Sequence, residues 1–123
     1  MNQITRIILR SMPMFFFVGV IFTTIMALLP SPQVPGVLQF WDKAQHFLAY
    51  TVLSVTGSLA FPKKLALVSL GLMFHGALVE IMQLTLTTTR SGEVLDWLAD
   101  GIGILTGIVA CTAFSYVCGR GHS

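Results

Sequence analysis

The chain has 123 residues, of which 54% are hydrophobic and 10% charged, with a net charge of +2 and a mean hydropathy of +0.82. Soluble domains carry about a quarter charged residues, so composition excludes an ordinary water-soluble monomer. The small positive balance gives no reason to expect nucleic acid as a partner.

The length suits a single domain, residues 1–123. Four apolar stretches come near the roughly 20 residues that a helix needs to cross a bilayer core. The first, "SMPMFFFVGVIFTTIMALLP" over 11–30, carries no charge. Arg6 and Arg10 precede it as they would in a secretion signal, but the run is long for one and "LLPSPQ" lacks a small-x-small cleavage site. It is therefore read as a retained helix. "SPQVPG" then marks a turn.

The second stretch, 43–61, is polar only at its start, where Asp42, Lys43, His46 and Tyr50 fall. Asp42, His46 and Tyr50 follow one another at a spacing of four and share one helix face. After a tight "PKK", the third stretch, 65–84, hides His75, Glu80 and Gln83. A polar connector, "TLTTTRSGEV", contains Arg90. The fourth stretch, 95–118, opens with Asp96 and Asp100 and continues the same stripe through Gly103, Gly107 and Cys111. Gly103 and Gly107 form a small-xxx-small pair that lets helices approach closely. Cys111 and Cys118 are seven residues apart, about 10 Å of helical rise, which is too far for a disulfide. The pattern predicts an all-α, integral membrane four-helix bundle without repeats or linkers.

Lys and Arg near membrane ends set orientation. Arg6, Arg10, Lys63, Lys64 and Arg120 fall on one side, against Lys43 and Arg90 on the other. Both termini are therefore expected in the cytoplasm, with the first and third connections facing outward. This topology gathers Asp42, Lys43, His46, Tyr50, Glu80, Gln83, Arg90, Asp96 and Asp100 at the outer third of the bilayer. An ionised acid at mid-helix costs about 2.5–3.5 kcal/mol to insert. Glu80 is thus expected to face the bundle and meet Arg90, Lys43 or His46.

Simpler roles compete at several positions. Asp42 and Lys43 could be interfacial beside Trp41, and Asp96 suits a first helical turn. His75 and Gln83 are read as interhelical hydrogen-bond partners. The "FFF" cluster is lipid-facing or packing surface. Glu80 fits a bland role least well, because a buried intramembrane acid is a functional-site hypothesis by default.

"DKAQHFLAY", "EIMQ", the arginine of "TTTRSGE" and "DWLADGIGILTG" occur in the order of VanZ-like membrane proteins, which the chain resembles from about Trp41 to Gly107. By position, the resemblance marks Asp42, Lys43, His46, Tyr50, Glu80, Gln83, Arg90, Asp96, Asp100, Gly103 and Gly107. Asp100 departs from it, standing where many relatives have Asn and adding negative charge that works against direct binding of an anion. The resemblance implies a bacterial cell-envelope protein of the cytoplasmic (inner) membrane. The family's named member is associated with resistance to the glycopeptide teicoplanin.

Three functions follow from these residues. In the first, the site binds or handles the head group of a membrane lipid or lipid-linked cell-wall precursor, with Lys43, Arg90 and His46 toward phosphate. In the second, the chain is an intramembrane transferase or hydrolase with His46, Glu80 and Asp96 as catalytic candidates: His46 and Glu80 form an acid–base pair, with Asp96 orienting His46 or Tyr50 donating a proton. In the third, the polar cluster only locks a structural bundle or partner subunit, with Gly103 and Gly107 packing inside the chain or forming a homodimer. Glu80, Asp96 and Asp100 suit a hard cation by ligand type, but their spacing matches no metal motif. No metal or cofactor is assigned.

Overall fold

The computed structural model describes residues 2–29, 37–87 and 94–120. Four helices account for nearly all of them: α1 (Gln3–Leu28), α2 (Val37–Ala60), α3 (Leu65–Leu86) and α4 (Val94–Arg120). No strand occurs among the described residues.

Local chemistry explains the helix ends. Asn2 caps α1, its side chain accepting from the Thr5 backbone N–H at 2.8 Å. The helix stops at Leu29, whose extended backbone (φ −69°, ψ 146°) suits a residue that precedes a proline, here Pro30. Ala60 ends α2 for the same reason, because Phe61 precedes Pro62. The chain then turns tightly, with Lys64 N–H donating to the Phe61 carbonyl at 3.0 Å. At the end of α3, Thr85 and Thr87 bond back to the carbonyls of Ile81 and Gln83.

Two helices begin earlier than the apolar runs indicate. α1 starts at Gln3 rather than residue 11, so Arg6 and Arg10 lie within it, and α2 starts at Val37 rather than residue 43. Arg120 is the last residue of α4 rather than part of a tail beyond it. Long cationic side chains at a helix end can carry their charge to water while the backbone remains helical. A charge therefore marks where the apolar core ends, and the helix can extend past it.

Helices α1, α3 and α4 are long and apolar enough to cross a membrane. Their outward faces carry large exposed apolar side chains, including Phe22, Phe74 and Phe114. Surfaces of that kind on a soluble monomer would be interaction or aggregation sites; in lipid they face the solvent they match. The chain is a helical membrane protein. α2 opens with Asp42, Lys43 and His46 and is the most polar of the four. Both α2 and α3 pack against each of the other helices, α2 most extensively against α4, whereas α1 and α4 do not meet among the described residues.

Consecutive helices run in opposite directions, so α2 and α4 lie parallel and closely packed. Glycines set their separation. A Cβ on Gly103 would collide with the Phe47 carbonyl oxygen, and one on Gly107 would collide with the Ser54 hydroxyl. The pair therefore packs inside the chain, against α2. In the adjoining core, Phe16, Tyr50, Leu53, Val68, Leu72 and Ile104 form one buried cluster. Phe15 and Phe17 point outward while Phe16 is buried, so the phenylalanine cluster serves both lipid and core. An apolar cleft of about 350 Å³, lined by Phe16, Val20, Phe61, Val68, Leu72 and His75, reaches toward Lys64. It occupies the half of the bundle away from the carboxylates.

Candidate functional site

Asp42 and His46 stand one turn apart in the first half of α2, Glu80 lies near the end of α3, and Asp96 and Asp100 occupy the first two turns of α4. Because α2 and α4 are parallel to each other and antiparallel to α3, these segments share one end of the bundle. His46 Nδ1 lies 2.8 Å from Asp100 Oδ1 and 3.9 Å from Glu80 Oε1. Lys43 Nζ lies 3.5 Å from Asp96 Oδ1. All but Lys43 and the half-buried Asp42 are deeply enclosed: Asp100 is 0% exposed, Asp96 2%, Glu80 7% and His46 9%.

The expected partners are exchanged in one respect. Asp96 was the acid expected to orient His46, yet Asp100 makes that hydrogen bond and Asp96 faces Lys43. Register explains the exchange. The close approach at Gly103 and Gly107 fixes α4 against α2, and His46 then lies level with Asp100. The expectation that Glu80 would meet His46 agrees with the geometry. Arg90, and the side chain of Trp41, lie outside the described residues.

Tyr50 and Gln83 are buried but turn elsewhere. The Gln83 side-chain amide donates to the Ala27 carbonyl of α1 at 3.0 Å. The Tyr50 hydroxyl lies 2.8 Å from His75 Nδ1, and His75 Nε2 lies 2.7 Å from Thr24 Oγ1. The Thr24 hydroxyl donates to the Val20 carbonyl at 2.8 Å. Its single proton is thereby used, so Thr24 accepts from His75 Nε2–H, and His75 Nδ1 accepts from Tyr50. This directional chain ties α2 to α3 and α1. His75 and Gln83 thus act as the interhelical partners the sequence suggests, and Tyr50 belongs to that tie more than to the carboxylate cluster.

Gly76 was not singled out from sequence. A Cβ there would lie 2.8 Å from Asp100 Oδ2. The signal was available, since Gly76 precedes Glu80 by one turn on the same face of α3. Trp97, also unmarked, donates its indole N–H to the Met73 carbonyl at 3.0 Å and fastens α4 to α3 beside the site.

Spacing along the chain gives no metal motif, but spacing in space gives two candidate groups. His46, Glu80 and Asp100 each offer a ligand atom, all within 4.8 Å of one another, as do Asp42, His46 and Asp96. Chemically, the cluster can orient an imidazole between acids, hold a cation, or accept hydrogen bonds from a hydroxylated ligand. The free thiols Cys111 and Cys118 lie along α4 beyond Gly107, too far along the helix to supply a nucleophile here. Fold and site together define a helical membrane protein with a buried carboxylate–imidazole cluster at one end. No family model, curated protein or solved structure matches the chain.

Proposed function

We propose that the chain is a VanZ-like protein of the bacterial cytoplasmic membrane, with both termini inside, whose cluster handles the phosphate-bearing head group of a membrane lipid or lipid-linked cell-wall precursor at the outer leaflet. One observation carries this reading: polar side chains from α2, α3 and α4 converge on His46 at a single end of an otherwise apolar bundle. A carboxylate within a membrane is costly, and Glu80, Asp96 and Asp100 are all buried there. Orientation is supported by Arg6, Arg10, Lys63, Lys64 and Arg120, which belong to the opposite end. The order of the motifs from Asp42 to Gly107 supports the family reading, and with it an influence on glycopeptide susceptibility.

The second reading is an intramembrane acid–base enzyme. It is favoured by the 2.8 Å bond between His46 and Asp100 beside Glu80, which would hold the imidazole in one orientation as a general base requires. A purely structural role is the third.

One comparison separates the three. Wild type, Lys43→Ala, Glu80→Gln and His46→Ala are produced in the same host, and lipids bound to the purified proteins and present in the membranes are profiled by mass spectrometry. Head-group handling predicts a phosphorylated lipid that copurifies with wild type and is lost from the variants at equal folded yield. Catalysis predicts a modified lipid accumulating with wild type and absent with His46→Ala. If the variants change folded yield alone, with both lipid profiles unchanged, the cluster is structural and the proposed function fails.

A further inference from the structure

The apolar cleft lies apart from the carboxylate cluster, at the end of the bundle that carries Lys63 and Lys64. Its volume of about 350 Å³ falls within the range of small-ligand sites. Phe17 and Val20 line it from α1, and Leu67 and Gly71 from α3. Part of the space exists because Gly71 has no side chain: an added Cβ would meet nothing within 4 Å. Just beyond α2, Phe61 closes one side, packed edge-on against Phe16 and Phe17 at centroid distances of 6.1 and 6.2 Å.

Three features define what fits there. Length is the first. The lining on α3 runs from Lys64 to His75, a rise of about 16 Å along a helix. That is close to half of a roughly 30 Å hydrocarbon core, the depth of one leaflet. Polarity then sets a direction. His75 accepts from Tyr50 at Nδ1 and donates to Thr24 at Nε2, so the deep end offers no free ring nitrogen. A polar group belongs at the Lys64 end. Charge is the third feature. Lys64 is exposed beside Lys63, and α3 begins there with no acid in its first turn and no side-chain cap. Its first N–H groups add positive potential. The acids among the described residues, Asp42, Glu80, Asp96 and Asp100, sit at the opposite end of the bundle. The lysine end is therefore complementary to an anion of the membrane surface.

We propose that the cleft takes one acyl chain of an anionic phospholipid from the leaflet on the lysine side, with the phosphate at Lys64 and the N-terminus of α3. In a bilayer the surrounding solvent is acyl chain, and an empty cleft would forfeit its dispersion contacts. The walls admit any such chain. Lys64 selects the head group, its stem along apolar surface and its ammonium at the interface. Under the proposed orientation this is the cytoplasmic leaflet, opposite the one that the cluster serves. The site rests on its own residues and does not need the head-group reading of the cluster.

The full-length protein in detergent micelles is mixed with equal amounts of phosphatidylglycerol and phosphatidylcholine of the same acyl chains. Native mass spectrometry then counts the lipid retained on each chain. Wild type is expected to prefer phosphatidylglycerol, with one molecule per chain that Gly71→Leu removes and Glu80→Gln does not. Lys64→Gln should reduce the preference about fivefold, the size of one lysine's attraction to an anionic lipid surface. Leu70→Ala, exposed and outside the cleft, should bind as wild type does. Wild type that retains the two lipids equally, or neither, overturns the proposal whether or not any variant folds. Phosphatidylglycerol retained undiminished by Gly71→Leu also overturns it, as does a dimer in place of the lipid adduct, which would give the cleft to a second copy. Lipid lost from Glu80→Gln but kept by Gly71→Leu upholds the head-group reading and removes the cleft site. Lipid lost from Gly71→Leu alone upholds the cleft and counts against the head-group reading.

Discussion

A Cβ on Gly107 would overlap the Ser54 hydroxyl and lie 2.7 Å from the Thr51 carbonyl oxygen, and a Cβ on Gly103 would meet the backbone of Phe47. Neither position can yield cheaply, because the obstructing atoms include backbone on the facing helix. Overpacking in a closely fitted interior costs about 1–3 kcal/mol. Gly107→Leu is expected to reach or exceed the upper end of that range in SDS mixed-micelle unfolding. Gly71, with nothing within 4 Å of its added Cβ, is the control; Gly71→Ala should gain up to about 1 kcal/mol from helix propensity. A Gly107→Leu variant as stable as wild type would show that α2 and α4 are farther apart than described. The His46–Asp100 pair permits a second test at this scale. Removing one partner of a buried pair leaves an uncompensated group and costs about 3–5 kcal/mol, while replacing both with apolar residues is often neutral or stabilising. His46→Leu should therefore unfold more readily than His46→Leu/Asp100→Leu. The double variant should recover stability without recovering lipid binding. Recovery of binding along with stability would mean the pair has only a structural role.

At the scale of the helix, α2 is the most polar helix and the one most extensively packed, against α4 above all. That arrangement follows from lipid as solvent, since polar groups are least costly where protein surrounds them. The stripes Asp42–His46–Tyr50 and Asp96–Asp100–Gly103–Gly107 were legible in the sequence because each lies on a single helix, where period alone assigns a face. Pairing between helices was not legible. Whether His46 meets Asp96 or Asp100 depends on how α4 slides along α2, which close packing at two glycines decides. Gln83 was equally ambiguous, since its partner is a backbone carbonyl on α1 that composition cannot mark. The chain Tyr50–His75–Thr24 likewise crosses three helices. Interhelical hydrogen bonds in membranes average about 0.6 kcal/mol and reach about 1.7. Tyr50→Phe and Thr24→Val should each cost an amount in that range, and His75→Ala should lose both bonds. In the His75→Ala background, Tyr50→Phe should then add little. An undiminished cost there would show that the Tyr50 hydroxyl works through another partner.

At the scale of the molecule, charge and hydrogen bonding divide the bundle into two unlike ends. One gathers the acids, Lys43 and His46; the other holds Arg6 and Arg10 at the start of α1, with Lys63 and Lys64 between α2 and α3. The asymmetry is what the positive-inside tendency acts on, and under the proposed orientation it puts the cluster at the outer leaflet. A head group at the outer surface reaches His46 only if the lysine pair faces the cytoplasm. Cysteine labelling tests this directly. In a background with Cys111 and Cys118 replaced by serine, Thr87→Cys at the cluster end should react with a membrane-impermeant maleimide in spheroplasts. Lys63→Cys, exposed at the other end, should react only after the membrane is opened. The two sites are separated by the length of α3, 22 residues, or about 33 Å of helix. That matches the roughly 30 Å hydrocarbon core, so one should be shielded when the other is accessible. The reverse labelling pattern would turn the carboxylates toward the cytoplasm, and any ligand would then have to be sought among inner-leaflet lipids.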